Sequence, residues 1–389
     1  MWRSLASNVL SLLIVALFVL GGGIPWAQTE FRRAGPLEQA ICLRVERGSN
    51  MERVSADLET QGAISSGFLF RVGADYTDKA QQLKAGSFLV PPGTSMEGII
   101  DVVTRGGAST CGTEIVYRVG VTRTLAEVRE LNPTTNRYEE KAQFNPAVDE
   151  VPPLYAEKKA LGDTRFRIAL AEGVTSWQIV ESLKAMDVLE GTVDEIPAEG
   201  TLAPDSYEIS AGTDRADVIA RMEAAQQGRI TEAWQNRAPD LPIETPEDLA
   251  ILASIIEKET GNDEEREVVS SVFVNRLRRG MMLQTDPTVI YGVTEGKGVL
   301  GRGLRQSELR RATPWNTYVI QGLPPTPIAN PGMASLRAAA NPADTDFIYF
   351  VAKTLNPADG HNFAETLAEH NRNVAIYRQL ERDRQQNEN

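Results

Sequence analysis

The chain has 389 residues, of which 42% are hydrophobic and 24% are charged, and its formal net charge is −13. This length and composition are typical of a folded protein with two or three domains and a sizeable core. The acidic balance argues against nucleic acid as a partner and against broad binding to anionic lipid surfaces, because both require a basic protein face.

The N-terminal region contains an uncharged apolar stretch from Val9 to Trp26. Its length falls within the roughly 17–25 residues that a helix needs to span a bilayer. A cleaved signal peptide is the alternative, with cleavage beside Ala27, although Pro25 fits the small-residue rule for such a site poorly. We predict an uncleaved membrane anchor over residues 1–27, with nearly all of the remaining chain exported.

The two cysteines, Cys42 and Cys111, both lie in the N-terminal third of the chain. An even number of cysteines in an exported protein favours a disulfide, and we predict one between these residues. Two unrelated buried thiols are the alternative.

An internal repeat links two parts of the chain. The segments SFLVPPGTSMEGIIDVV and SYEISAGTDRADVIARM align without gaps, and a second pair of similar segments lies upstream of them. The glycines that match between the copies are Gly48 with Gly173 and Gly93 with Gly212. Each copy has the pattern of two strands, each followed by a glycine turn and an amphipathic helix. We therefore predict two small βα modules, at about 43–107 and 166–226.

The predicted fold class is α+β, with five parts along the chain. The segment between the two modules is rich in Glu, Pro and Asn, which favours long and partly mobile loops. From Ile243 onward, strong helices separated by clear turns indicate a helix-rich α+β domain. The predicted parts are the anchor at 1–27, a βα module at 28–107, an insertion at 108–165, a second βα module at 166–242 and the helix-rich domain at 243–389.

One helix of the last domain has clear ends in the sequence. Thr245 and Asp248 have the pattern of a capping box, and Pro246 fits the first turn. The helix is predicted to run to about Glu259 and to stop near Gly261. At 100° per residue, Glu259 projects into the middle of a broad apolar arc. The arc is formed by Leu252, Ile255 and Ile256.

Glu259 is the candidate catalytic residue. A carboxyl group among leucine and isoleucine side chains is desolvated, which raises its pKa toward the value that a general acid needs near neutral pH. The alternatives are that Glu259 bends into solvent or pairs with an arginine. Glu257 falls on a different side of the same helix.

The next helix follows at once. Asn262 and Glu265 have the pattern of its capping box, and Gly280 is its predicted end. The tight corner between the two helices would place Glu259 and Thr260 at the edge of a cleft. Further along the chain, Asp286 and Pro287 have the pattern of another cap and first turn.

Other polar residues cluster downstream of this corner. Turn formation explains many of them, but not easily Gln284, Tyr291, Asn316, Tyr318, His361 and His370. The sequence contains no closely spaced His/Cys/Asp cluster of a metal site and no G-x-S-x-G motif. GKGVLG at Gly296 matches a dinucleotide-binding pattern, but it does not follow a strand pattern. We therefore expect no metal and no cofactor.

Several motifs taken together resemble the endolytic murein transglycosylases, the MltG or YceG-like family. In chain order they are LASIIEKET, VFVNRL, LQTDPTVIYG, NTYVIQGLPP, IANPG, YFVA and EHN. The N-terminal anchor and the βα modules are similar to the membrane helix and the LysM-like region of that family. The resemblance covers nearly all of the chain except 108–164.

This resemblance implies cleavage of the β-1,4 bond between N-acetylmuramic acid and N-acetylglucosamine inside nascent peptidoglycan strands. The products would carry 1,6-anhydro ends, and cleavage would terminate strand elongation. The Glu–Thr pair of lytic transglycosylases corresponds here to Glu259 and Thr260. The implied protein is a lyase in the cell inner membrane, single-pass, with its catalytic domain in the periplasm. Its expected partners are glycan strands and peptidoglycan synthases.

Around the candidate acid we predict a set of substrate-binding residues. They are Glu257, Thr260, Gln284, Asp286, Tyr291, Asn316, Tyr318, His361, His370 and Asn371. Two other functions stay open. One is a muramidase-type hydrolase, in which Asp286 or Glu257 would activate water. The other is a non-catalytic anchored scaffold that binds peptidoglycan.

Overall fold

The computed structural model describes residues 11, 14–15, 19–107, 109–356 and 359–387. It combines helices with small sheets, so the predicted α+β class is confirmed. A π-helical turn at Val19–Gly23 precedes the first α-helix. The α-helices of the described residues, α1 to α13, are Ile24–Arg32, Met51–Thr60, Gly67–Tyr76, Met96–Thr104, Pro153–Lys159, Ser176–Ala185, Arg215–Gln235, Pro246–Glu259, Arg266–Arg278, Asp286–Thr294, Gln306–Arg310, Met333–Ala340 and Leu367–Asn387.

The strands of the described residues form three sheets. Strands β1 and β2 pair antiparallel, and so do β8 and β9. The remaining five strands form one sheet in the order β5-β4-β3-β6-β7. The strands β1 to β9 are Ile41–Val45, Gly86–Val90, Thr113–Val119, Thr124–Asn132, Arg137–Phe144, Arg165–Leu170, Ser206–Ile209, Tyr349–Ala352 and His361–Ala364.

The chain divides into two compact units. Unit 1 comprises residues 1–116, 127–144 and 151–166, and unit 2 comprises residues 117–126, 145–150 and 167–389. One core lies within unit 1, where apolar side chains of α2, α3 and α4 pack with those of β1 and β2. Another core lies within unit 2 and is built mainly from α8, α9 and α12. The five-part division along the sequence stays a prediction.

The internal repeat has a clear structural basis. The first copy contains β1, α2, β2 and α4 in that order, and the second contains β6, α6, β7 and α7. The matched glycines share one backbone geometry, with φ of 81° at Gly48, 77° at Gly173, 68° at Gly93 and 82° at Gly212. Glycine adopts positive φ without the steric cost that a side chain brings. Both copies therefore have glycine at the same position of the strand-to-helix turn. The first copy differs by an additional helix, α3.

The prediction of long loops between the modules is wrong. Residues 113–144 form β3, β4 and β5, and the short helix α5 follows. The loop-like composition has two sources. Strand β5 exposes most of its charged side chains, and the Asn and Pro residues lie largely in the connections around it. Polar strands that face solvent have nearly the same composition as loops, so composition alone misassigned them.

The predicted anchor lies largely outside the described residues, since positions 1–10, 12–13 and 16–18 are not among them. No helix in the described part of the chain has both the length and the apolar character needed to cross a membrane. The anchor therefore stays a prediction from the sequence.

Cys42 and Cys111 form a disulfide within unit 1, with their Cα atoms 5.8 Å apart. This separation lies in the usual range for such a bond. Cys42 lies on β1, opposite Leu89 of β2, and Cys111 is fully buried. The bond thus ties the β1–β2 pair to the residues that lead into β3.

We expect no free thiol when the purified, unreduced protein is denatured and titrated. The bond closes a loop with a sequence separation of 69 residues. Replacing both cysteines by serine should therefore lower the free energy of unfolding by about 2–4 kcal/mol. Urea unfolding of the two proteins measures this difference. Two titratable thiols in the unreduced protein would contradict the assignment.

Candidate active site

Helix α8 begins and ends as the sequence predicts. The Thr245 hydroxyl accepts a hydrogen bond from the Asp248 backbone N–H, and the Asp248 carboxylate accepts one from the Thr245 N–H, completing the capping box. Pro246 occupies the first turn, and the helix ends at Glu259. All residues from Leu249 to Ile256 are buried. The helix therefore runs through the core of unit 2 and presents its last residue at the edge of that core.

The carboxyl group of Glu259 lies in a desolvated environment. Burial raises its pKa to about 7, while a hydrogen bond donated by the Thr285 hydroxyl lowers it in part. The negative charge of Asp286 raises this pKa further, and the positive charge of Arg276 lowers it. The side chain is nevertheless only half-buried. A carboxyl group with these properties can hold a proton near neutral pH and still reach a ligand.

Thr285 is a site residue that the sequence did not predict. It occupies the N-cap position of α10, one residue before the predicted Asp286, yet its side chain does not cap the helix. Its backbone N–H donates to the Thr317 hydroxyl at 3.1 Å, and its own hydroxyl donates to Glu259 Oε1. The start of α10 is thereby fixed against the end of α8.

Arg276 supplies the positive charge of the site. It lies on α9 and is buried. Its Nε donates to the carbonyl of Ile348 at 2.7 Å, and its Nη1 donates to the carbonyl of Leu283 at 2.7 Å. These bonds hold the guanidinium in one position, where its charge favours the ionised form of Glu259. An arginine that donates to distant backbone carbonyls leaves no recognisable motif in the residues around it, so the sequence does not predict the role of Arg276.

Asp286 and Tyr318 form a pair beside Glu259. The Tyr318 phenol donates to Asp286 Oδ1 at 2.7 Å, and Asp286 is exposed. Burial raises the pKa of Tyr318, and the hydrogen bond to Asp286 and the charge of Glu259 raise it further. Gln284 precedes this pair in an exposed position with φ of 51°, and its N–H donates to the Thr317 carbonyl. Asp286 and Tyr318 therefore lie near the candidate acid, and Gln284 directly precedes Thr285, which contacts it.

Thr260 joins Glu259 to a second network. Its hydroxyl donates to Glu265 Oε1 at 2.7 Å, and the same oxygen lies 2.6 Å from His361 Nδ1. The His361 backbone N–H donates to Glu265 Oε2 at 2.9 Å. Burial raises the pKa of Glu265, but the bonds from Thr260 and His361 outweigh it and leave the pKa lowered. An ionised Glu265 therefore ties the end of α8 to β9.

The predicted capping box of Asn262 and Glu265 is wrong. Helix α9 begins at Arg266, and Glu265 occupies its N-cap position without a side-chain capping bond. The reason is that the carboxylate of Glu265 is already used by Thr260 and His361. His361, which is distant in the sequence, thus binds the carboxylate that the capping box would have used. The sequence around residue 262 gives no sign of this contact.

Glu257 has a different role from Glu259. Its Oε2 accepts a hydrogen bond from the Gly332 N–H at 2.9 Å, on the side of α8 away from Thr285. The nearby Glu172 carboxyl has a raised pKa, first because of burial and then because of the Glu257 charge. Glu257 therefore holds the start of α12 in place.

Tyr291 and Asn316 also have contacts of their own. The Tyr291 phenol donates to Glu199 Oε2 at 3.2 Å, and the tyrosine ring packs edge-on against Trp315. The Asn316 side chain is fully buried and donates to three backbone carbonyls, those of Glu308, Leu309 and Arg311. Neither side chain is joined to Glu259 by a hydrogen bond in the described structure.

His370 and Asn371 lie on α13. The His370 ring stacks on Tyr349 with the ring centres 5.0 Å apart, and the Arg276 guanidinium lies 5.3 Å from the centre of the same tyrosine ring. Burial lowers the pKa of His370, and the charge of Arg276 adds to this effect. Asn371 is exposed. His370 is thus connected to the candidate site through Tyr349, whereas Asn371 shows no contact that would place it there.

In the described residues, no three His, Cys, Asp or Glu side chains are arranged to hold a metal ion.

A family model described as the YceG-like family matches residues 43–376. The chain belongs to this family. The match includes Glu259 and the other predicted substrate-binding residues of this site. The YceG-like assignment therefore covers both units of the protein.

Similar proteins come from several bacteria. An endolytic murein transglycosylase of Bacillus subtilis is 28% identical, over 85% of this chain and 83% of that protein. One from Streptococcus pneumoniae is 26% identical, over 94% of this chain and 64% of that protein. A solved structure of a YceG-like protein from Listeria monocytogenes is 24% identical, with a TM-score of 0.44 over 86% of this chain and 99% of that one.

The raised pKa of Glu259 predicts a pH-dependent effect on stability. The unfolded carboxyl ionises near 4.5, whereas the folded one ionises near 7. Between these values the folded state binds more protons, so stability falls as the pH rises, and the loss stays constant above about pH 7. Glu259→Gln removes this titration. We expect the variant to be more stable than the natural protein at about pH 8, by on the order of 1–3 kcal/mol, with little difference at about pH 4.

Urea unfolding of both proteins at the two pH values measures this effect. A gain of the same size at both values would mean that the substitution acts through packing rather than through ionisation.

The Glu265 network predicts a loss of stability when its acceptor is removed. Glu265→Ala leaves the buried Thr260 hydroxyl and the His361 N–H without their acceptor, which should cost about 1–3 kcal/mol. Glu264→Ala is the matched control, because Glu264 is an exposed neighbour in the same turn. Thermal and urea unfolding of the two variants give the comparison. Equal stabilities would show that the network contributes nothing to holding the corner.

Proposed function

We propose that this YceG-like protein is an endolytic murein transglycosylase, in which Glu259 is the single acid–base residue. The observation that carries the proposal is the half-buried Glu259 carboxyl with a pKa of about 7, held by Thr285 at the end of α8. The names of the relatives in Bacillus subtilis and Streptococcus pneumoniae support the same activity.

The first step would be bond cleavage in the glycan strand. Protonated Glu259 donates its proton to the oxygen of the β-1,4 bond between N-acetylmuramic acid and N-acetylglucosamine. The bond from C1 to this oxygen breaks through an oxocarbenium-like state, and the N-acetylglucosamine portion leaves as an alcohol. Glu259 is then a carboxylate, and both Arg276 and the Thr285 hydroxyl favour that form.

The second step would use a nucleophile that belongs to the substrate. The Glu259 carboxylate takes the proton from the C6 hydroxyl of the muramic acid residue, and this oxygen bonds to C1. The product is a 1,6-anhydro ring, and Glu259 is protonated again. No water is consumed, so the reaction is that of a lyase. A second carboxylate that activates water is not needed.

Asp286 and Tyr318 fit supporting roles in these steps. A carboxylate close enough to raise the pKa of Glu259 would also stabilise positive charge that develops at C1. The hydrogen bond from Tyr318 fixes the orientation of Asp286. We assign both residues to substrate positioning, together with Gln284.

The hydrolase alternative needs a second carboxylate to activate water. Glu257 is used by the Gly332 N–H on another side of α8, which leaves Asp286 as the candidate base. The scaffold alternative gives no reason for a half-buried carboxyl whose pKa is raised to about 7 at the end of α8. The reaction product separates all three readings, because a reducing end indicates a hydrolase and uncut strands indicate a scaffold.

The two glutamates of α8 provide a matched test of the catalytic assignment. Glu259→Gln should lower the rate of strand cleavage by at least about 100-fold, because the amide cannot transfer a proton. Glu257→Gln should keep substantial activity, since its amide oxygen can still accept from the Gly332 N–H. Mass spectrometry of products from nascent peptidoglycan should detect 1,6-anhydro ends with the natural protein. The opposite ranking of the two variants would refute the assignment of the acid.

We extend the proposal to the location of the enzyme. The uncharged stretch Val9–Trp26 supports a single-pass anchor in the cell inner membrane, with the catalytic domain in the periplasm. The two βα modules fit a LysM-like role in holding glycan strands. An enzyme anchored in this way would meet strands soon after their synthesis, so peptidoglycan synthases are the expected partners and termination of strand elongation is the expected outcome.

Membrane attachment has its own test. The full-length protein should stay in the membrane fraction through a carbonate wash, and protease should reach its C-terminus only from the periplasmic side. A soluble mature form that starts near Gln28 would show that the N-terminal stretch is a cleaved signal peptide.

A further inference from the structure

The helix α3 of unit 1 has two apolar faces. One face, which includes Phe70 and Ala74, is buried in the core. The other face carries Phe68, Val72 and Tyr76, which are 65%, 47% and 77% exposed. Their spacing of four residues places them in one row along the helix. A surface helix normally carries polar side chains on its outer face, so this row requires an explanation.

Exposed apolar side chains in this part of the protein are not scattered. Before residue 148, the large exposed hydrophobic side chains that the structure describes belong to the N-terminal segment, α1 or α3. They are Ile14, Val15, Ile24, Trp26, Phe68, Val72 and Tyr76. The row on α3 therefore belongs to the same unit as the exposed apolar side chains at the end of the predicted anchor.

Helix α1 is fixed directly to α3. The buried ring of Phe31 packs on Gly73, where a Cβ atom would come within 2.1 Å of the ring. The Ser65 hydroxyl, just before α3, donates to Glu30 Oε1 at 3.0 Å. In the sequence, α1 directly follows the stretch Val9–Gly23, which contains no charged residue. The place where the chain would leave the bilayer is thus held next to α3.

We propose that the face formed by Phe68, Val72 and Tyr76 lies in the interfacial layer of the bilayer that holds the N-terminal anchor. Aromatic side chains with a polar end, such as Trp26 and Tyr76, are favoured in this layer. With a net charge of −13, the protein gains little from anionic lipid headgroups, so apolar contact drives the insertion. The inference rests on the membrane anchoring proposed above. Its consequence is that unit 1 lies on the membrane surface in one orientation instead of moving freely on a tether.

The test uses the full-length protein in phosphatidylcholine vesicles. Both native cysteines are in the disulfide, so Phe68→Cys in the unreduced protein offers one site for a nitroxide spin label. Tyr76→Cys provides a second position on the same face. Asp57→Cys is the matched control, because Asp57 is exposed on the neighbouring helix α2 of the same unit. Collision rates of each label with oxygen, which enters lipid, and with a water-soluble nickel complex are then measured by paramagnetic resonance.

We expect labels at positions 68 and 76 to collide several-fold less with the nickel complex than the label at position 57, and more with oxygen. Adding anionic lipid should leave these values unchanged. Nickel collisions equal to those at position 57 would overturn the proposal, and protection from both reagents would overturn it in favour of a contact between two copies. Flotation with the vesicles reports anchoring separately, and strand cleavage by the labelled proteins reports the proposed activity separately.

Discussion

The hydrogen bond from Thr285 to Glu259 is the contact on which the candidate site depends. It joins the last residue of α8 to the first turn of α10, in a place where burial raises the pKa of the carboxyl. Without the surrounding core the carboxyl would be ionised at neutral pH, and without the threonine its direction would not be fixed. The capping box at Thr245 fixes the start of the same helix, and the extended backbone of Thr260 ends it after Glu259.

Glu259 and the residues that act on its charge or position lie on helices and strands that are far apart in the sequence. Arg276 lies on α9, Asp286 begins α10, and His361 lies on β9 and reaches Thr260 through Glu265. Burial raises the pKa of the Glu259 carboxyl and the Thr285 hydrogen bond lowers it in part, with smaller opposing effects of Asp286 and Arg276, so this pKa lies near neutrality. That balance suits a residue that first donates a proton and then accepts one, as a reaction with a single acid–base residue requires.

Local patterns predicted part of this arrangement. The ends of α8, the apolar arc under Glu259 and the glycine turns of the repeat follow from residues close together in the chain. Thr285, Arg276 and the true partners of Glu265 do not, because tertiary contacts decide them. The buried Asn330 is a further example, since its amide bonds to the Leu202 N–H and the Val174 carbonyl, and no sequence pattern indicates either. Strands β3 to β5 were missed because polar strands and loops share a composition.

In the folded protein, burial raises the pKa of Glu259 to about 7, so the carboxyl exchanges its proton near neutral pH. Carbon-13 NMR of protein with labelled glutamate carboxyl groups measures this directly, with the Glu259→Gln spectrum identifying the resonance. We expect this resonance to titrate near pH 7, as burial of the carboxyl requires. Titration near 4.5, the ordinary value for an exposed glutamate, would show that the folded protein does not desolvate this carboxyl.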